Sequence, residues 1–145
     1  MLDGARDRRI EYLVLLWGLE HECLLGAVGP DLRNAAPFLV RLERDALCTL
    51  ELLRESEAKD WGIFAAAPAG TGIRIVTRHC RRMLRVLDEA GGVMFFRYYD
   101  PKVMSMFWPT ASIAQQEELL GPLSSWLTGN RVFATAHAGT SLFAQ

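Results

Sequence analysis

The segment from Gly72 to Leu87 constrains this chain more than any other. Ile73, Val76, Cys80, Met83 or Leu84 and Leu87 recur at helical spacing along one side. Arg74, Arg78, Arg81, Arg82 and Arg85 recur at i, i+4, i+7, i+8 and i+11 along the other, with no acid between them. At about 3.6 residues per turn this pattern separates apolar groups from guanidinium groups, so the segment predicts a helix that lies on a core with its arginines outward. The arginine row admits two readings. It is a basic ridge for an acidic partner or a phosphate, because each guanidinium is a planar fork that pairs bidentately with either. Alternatively it is a solvated face with intramolecular partners among Glu51, Glu55 and Glu89.

The rest of the chain supplies what such a helix would cover. Ile10, Leu13, Val14 and Trp17 form an apolar stripe within a helix expected over 6–18, stopped by Gly18. His21 to Leu25 and Pro37 to Leu42 read as short extended segments, the second bracketed by the Gly29-Pro30-Asp31 turn and by Asp45. Asp45 is expected to cap a second helix to Ser56, with Leu47, Leu50 and Leu53 inward. Trp61 to Ala65 reads as a strand.

Beyond the arginine-rich helix, Arg85 to Asp88, the Ala90-Gly91-Gly92 turn and Val93 to Tyr99 predict a β-hairpin. On a strand through Tyr99, the side chains of Phe95, Arg97 and Tyr99 would share one face, and those of Phe96 and Tyr98 the other. Asp100-Pro101 starts a further helix, with Asp as N-cap and Pro at the first helical position. Ser112 and Gln115 suit a capping box for a helix through Leu120, ended by Gly121-Pro122. Trp126-Leu127 and Val132 to Thr135 are the last strand candidates. Helices alternating with short strands predict an α/β (α+β) fold, a mixed sheet with covering helices. The residues expected in its core are Phe38, Val40, Ile63, Phe64, Val76, Cys80, Leu84 and Phe96.

With 145 residues the chain fits one domain. Its balance of 50% hydrophobic and 23% charged residues is that of a chain with a real core. The net charge of −1 supplies no global basic field, so nucleic acid is not an expected general partner, and no apolar run is long enough for a membrane span. Met1 leads directly into Asp3, Arg6, Asp7, Arg8 and Arg9. A signal peptide is therefore not expected, and the cytoplasm is the expected compartment.

Cys23, Cys48 and Cys80 form no CxxC pair, and His21, His79 and His137 do not complete a metal-ligand spacing with them. No metal, cofactor or catalytic residue is expected. The phosphate-loop, nucleophile-elbow and zinc-protease patterns are missing; Gly70-Thr71-Gly72 is the nearest approach and has no lysine. Phe95 to Pro101 is the least ordinary stretch. It places Arg97 among aromatics, and Arg, Tyr and Trp are the usual anchors of protein interfaces; the plainer reading pairs Arg97 with Asp100 and sends the rings to the core.

Four blocks in order carry a family resemblance. They are Ala36-Pro37-Phe38-Leu39-Val40-Arg41-Leu42, Trp61-Gly62-Ile63-Phe64, Arg81-Arg82-Met83-Leu84, and Phe96-Arg97-Tyr98-Tyr99-Asp100-Pro101-Lys102-Val103. Leu2-Asp3-Gly4-Ala5 and Leu120-Gly121-Pro122 flank them. Together they resemble the adaptor or chaperone domain of type VI secretion, in particular its N-terminal lobe. The resemblance implies a cytosolic, non-enzymatic protein whose partners are a toxic effector and the spike protein at the tip of the secretion tube. It implies structural roles for Pro37, Trp61, Gly62, Phe64, Pro101, Gly121 and Pro122. Arg97, Tyr99 and Asp100, with Arg74, Arg78, Arg81, Arg82 and Arg85, are the candidate partner-binding residues. The alternative function is a stand-alone module that uses the arginine face for phosphate or nucleic acid, and an enzyme of unrecognised type is a third option.

Overall fold

The computed structural model describes residues 1–44, 46–129 and 131–135. Its first part is built around β3 (Pro37–Val40), which lies between β1 (Leu2–Asp3) and β2 (His21–Cys23) in an antiparallel sheet. Leu2 and Cys23 both register on Phe38, which is fully buried. Two helices cover this sheet. In α1 (Ile10–Leu16), Ile10 and Val14 are buried and Leu13 packs beside them, as the stripe predicts. The helix is shorter than expected because residues ahead of Ile10 form turns, with the Arg6 and Ile10 N–H groups donating to the Asp3 and Asp7 carbonyls. Gly18, at φ +63°, takes the left-handed conformation that ends it. A single helical turn, α2 (Pro30–Arg33), precedes β3.

The other covering helix, α3 (Leu47–Lys59), departs from the sequence pattern. Its inward residues are Thr49, Leu52 and Ser56, while Leu47 and Leu50 are exposed. The row 49, 52, 56 also falls on one helical face, so periodicity admitted two rotations of the helix and the tertiary contact chose between them. Ala46 stands at the N-cap without a side-chain bond; Asp45, the expected cap, lies outside the described residues.

The remaining elements are β4 (Phe64–Ala66), α4 (Ile73–Met83), β5 (Arg85–Leu87), β6 (Val93–Phe95), α5 (Pro101–Phe107) with a 3-10 turn over Trp108–Thr110, α6 (Ile113–Leu120), β7 (Ser125–Thr128) and β8 (Arg131–Phe133). Of these, α4, α5, α6, β7 and β8 contribute to a second, larger core. Strands β4, β7 and β8 form an antiparallel sheet with β7 central, and β5 and β6 form a two-stranded hairpin. The fold is thus α/β as expected, with its strands distributed over three small antiparallel sheets.

Val76, Cys80, Met83 and Leu84 enter the larger core with Tyr98, Met104, Leu119, Leu120 and Trp126. Of the expected core residues, Phe38, Ile63, Val76, Cys80 and Leu84 are buried, whereas Val40, Phe64 and Phe96 are half-buried. The Trp61 to Ala65 strand is displaced: Gly62 makes a lone bridge to Leu2, and the regular strand begins at Phe64. Gly62 is required there, because a Cβ would lie 2.0 Å from the Met1 carbonyl oxygen.

Candidate functional site

The stretch from Phe96 to Pro101 turns rather than continuing as a strand. Strand β6 ends at Phe95, and the Asp100 N–H donates to the Arg97 carbonyl at 2.9 Å. The alternating faces expected through Tyr99 are therefore lost, and Tyr98 and Tyr99 are both buried. Asp100 then caps the next helix, accepting from the Lys102 N–H at 2.9 Å. The Tyr98 hydroxyl donates to the Cys80 carbonyl at 3.0 Å, and its ring meets Trp126 edge-on at 5.7 Å. Tyr98 thus ties the corner to the arginine-rich helix.

Charges lock the same corner to the beginning of the chain. Arg97 donates to the buried Asp3 carboxylate at 2.5 Å and lies 3.8 Å from Asp100. Arg6 donates to Asp100 at 2.8 Å, and the Arg97 guanidinium sits 5.8 Å from the Tyr99 ring centre. Burial opposes ionisation of Asp100, but the Lys102 N–H and the Arg6 guanidinium outweigh it and hold the carboxyl below its ordinary value. Burial pushes the Tyr99 hydroxyl up to about 12. Tyr99 and Asp100 are buried, and of the three corner candidates Arg97 is the one that reaches solvent. Sequence reasoning named Arg97 and Asp100 but missed Asp3 and Arg6, whose pairing spans 94 residues. The only local signal was the Leu2-Asp3-Gly4-Ala5 turn.

The arginine row is on the surface. Arg74, Arg78, Arg81 and Arg82 are exposed on α4, and Arg85 follows on β5 rather than on the helix. Arg81 donates to the Cys23 carbonyl at 2.8 Å and lies 3.5 Å from Glu22. Among the described residues, no carboxylate forms an ion pair with Arg74, Arg78, Arg82 or Arg85. Glu55, one of the expected internal partners, pairs with Lys59 instead. Beside this row, the hairpin exposes Leu87, Val93, Met94 and Phe95. Neither periodicity nor composition marked those residues as exposed.

Other candidates are structural. The His21 Nδ1–H donates to the Leu19 carbonyl at 2.8 Å, and Cys23 is buried. The His79 Nε2–H and the Trp126 Nε1–H both donate to the Leu119 carbonyl, at 3.0 and 3.3 Å. Burial pulls His79 below its ordinary pKa and pushes the Cys80 thiol up. Gly121, at φ +52°, lets α6 end against the His79 ring, which a Cβ would approach to 2.3 Å. His137 lies outside the described residues. Among the described residues, no group of three or more His, Cys, Asp and Glu side chains is placed to hold a metal ion, and no helix is long and apolar enough to cross a membrane. A cleft of about 320 Å³ between β3, β4 and the Pro68–Thr71 loop is lined by mostly apolar residues whose backbone makes the surface mixed, with Arg41 its one charged side chain among the described residues.

No curated protein and no solved structure matches the chain. A family model does match over residues 1–118, which take in the Asp3–Arg97–Asp100 lock and the whole arginine row. The chain belongs to the family described as Domain of unknown function (DUF4123).

Proposed function

We propose that the protein is a non-enzymatic adaptor that binds a type VI secretion effector and helps to load it on the spike protein. Family membership and the four sequence blocks that resemble such adaptors support this reading. The observation that carries it is an exposed row of arginines, of which Arg74, Arg78, Arg82 and Arg85 have no carboxylate partner among the described residues, adjoined by an apolar hairpin. A surface of that kind suits protein binding, since arginine, methionine and aromatic groups are enriched at protein interfaces.

The test is co-purification of the full chain with the toxin and spike proteins encoded beside it. Retention of either supports the adaptor. The arginine row also suits a phosphate-binding module, and salt separates the two. Binding to a short oligonucleotide that falls steeply as salt rises, with neither protein retained, would replace the adaptor reading.

A further inference from the structure

The β5–β6 hairpin places an unusual face toward solvent. Its register pairs Arg85 with Phe95 and Leu87 with Val93, and antiparallel partners share a face. That face therefore carries Arg85, Leu87, Val93 and Phe95. All four are exposed, with Leu87 71%, Val93 68% and Phe95 51% accessible. A two-stranded hairpin is marginal alone in water, and three large apolar side chains on one uncovered face add to that cost. Val86 and Met94 alternate onto the other face; Val86 is half-buried and Met94 50% exposed, and both line a cleft with Met83, Phe107 and Leu119 that Arg85 and Leu87 also edge. Among the described residues nothing covers the outer face.

Charge says what fits there. Arg85 belongs to the hairpin face and follows directly on the α4 row, in which Arg74, Arg78 and Arg82 have no ion pair among the described residues. The acid nearest in sequence, Asp88, is spent on its own turn, accepting from the Ala90 and Gly92 N–H groups at 2.9 and 2.7 Å. A second copy of this chain would repeat the same patch across a two-fold axis and bring arginines against arginines. Nucleic acid would meet the arginines but leave Leu87, Val93 and Phe95 wet. An occupant with apolar residues and carboxylates covers both.

We infer that the outer face of the β5–β6 hairpin, together with the α4 arginines, docks an acidic segment of a protein partner whose apolar side chains cover Leu87, Val93 and Phe95 while its carboxylates meet Arg82 and Arg85. This rests on the adaptor reading and names the surface and the chemistry by which the effector is held.

Two measurements test it on the full chain. In the first, fluorescence anisotropy follows a synthetic peptide of about twelve residues that alternates Glu with Leu or Phe, against the same peptide with Lys for Glu. The acidic peptide is expected to bind, to weaken as salt rises, and to lose about tenfold or more in affinity with Phe95→Asp or with Arg82→Glu combined with Arg85→Glu. These positions are exposed, and an unchanged melting temperature confirms that the variants fold. Equal binding of both peptides, absence of binding, or indifference to the substitutions overturns the inference. So does tighter binding to phosphatidylserine vesicles than to the peptide, or a dimer in sedimentation that Phe95→Asp dissociates. In the second measurement the same variants are co-purified with the effector encoded beside the gene. An effector that binds the native chain and the variants alike overturns this surface while leaving the adaptor reading intact. If no effector binds the native chain, the adaptor reading fails, and the peptide result decides the surface independently.

Discussion

Gly121, Asp3 and His79 show how single residues hold this fold. Gly121→Ala would combine a strained backbone with a Cβ 2.3 Å from the His79 ring, so we expect a loss of about 2–4 kcal/mol in denaturant unfolding. Asp3 is buried and meets Arg97, whose guanidinium is partly in water. Solvent screening therefore limits the cost of Asp3→Asn to about 1–2 kcal/mol, and a double-mutant cycle with Arg97→Gln should return a coupling of about 1 kcal/mol. His79 adds a pH dependence. Its pKa is lowered in the fold, so the unfolded chain binds more protons as pH falls through about 6.5. Its neutral form contributes fully above that pH, and the contribution declines below it. His79→Gln, which still has an N–H to offer Leu119, should flatten the fall in urea midpoint between pH 7.5 and 5.

Helix ends and helix faces obey their local rules here to different degrees. The capping box of α6 forms as its spacing implies, with the Ser112 hydroxyl accepting from the Gln115 N–H and the Gln115 side chain accepting from the Ser112 N–H. Ser112→Ala should cost about 1 kcal/mol. The α4 helix was legible because its apolar and arginine rows leave one orientation, and Val76→Asp, which buries an unpaired carboxylate, should unfold the protein or come close to it. An unchanged melting temperature would remove α4 from the core. By contrast α3 was legible as a helix but not in its rotation, since leucines lie on more than one side of it.

For the molecule as a whole, stability and binding should separate. Arg78 and Arg82 are exposed and make no ion pair among the described residues, so Arg78→Glu with Arg82→Glu should leave the unfolding midpoint nearly unchanged. The same pair should slow association with an acidic partner, most visibly at low salt. Stopped-flow association rates at two salt concentrations, beside a thermal melt, distinguish this from general destabilisation. A large fall in melting temperature would mean that the row supports the fold.

Local chemistry was enough to place α4, the Asp100-Pro101 and Ser112 helix starts, the Gly18 and Gly121 stops and the α/β class, because caps, glycine conformations and periodicity act over a few residues. Arg97 and Asp100 were also visible as a candidate pair. Their partners Asp3 and Arg6 were not, since an ion pair across 94 residues leaves no spacing to read. The same holds for the three-way division of the strands and for the exposed face of Leu87, Val93 and Phe95, whose apolar character in sequence says core. Whether such a side chain is buried depends on what the fold lays over it, and among the described residues nothing is laid over these.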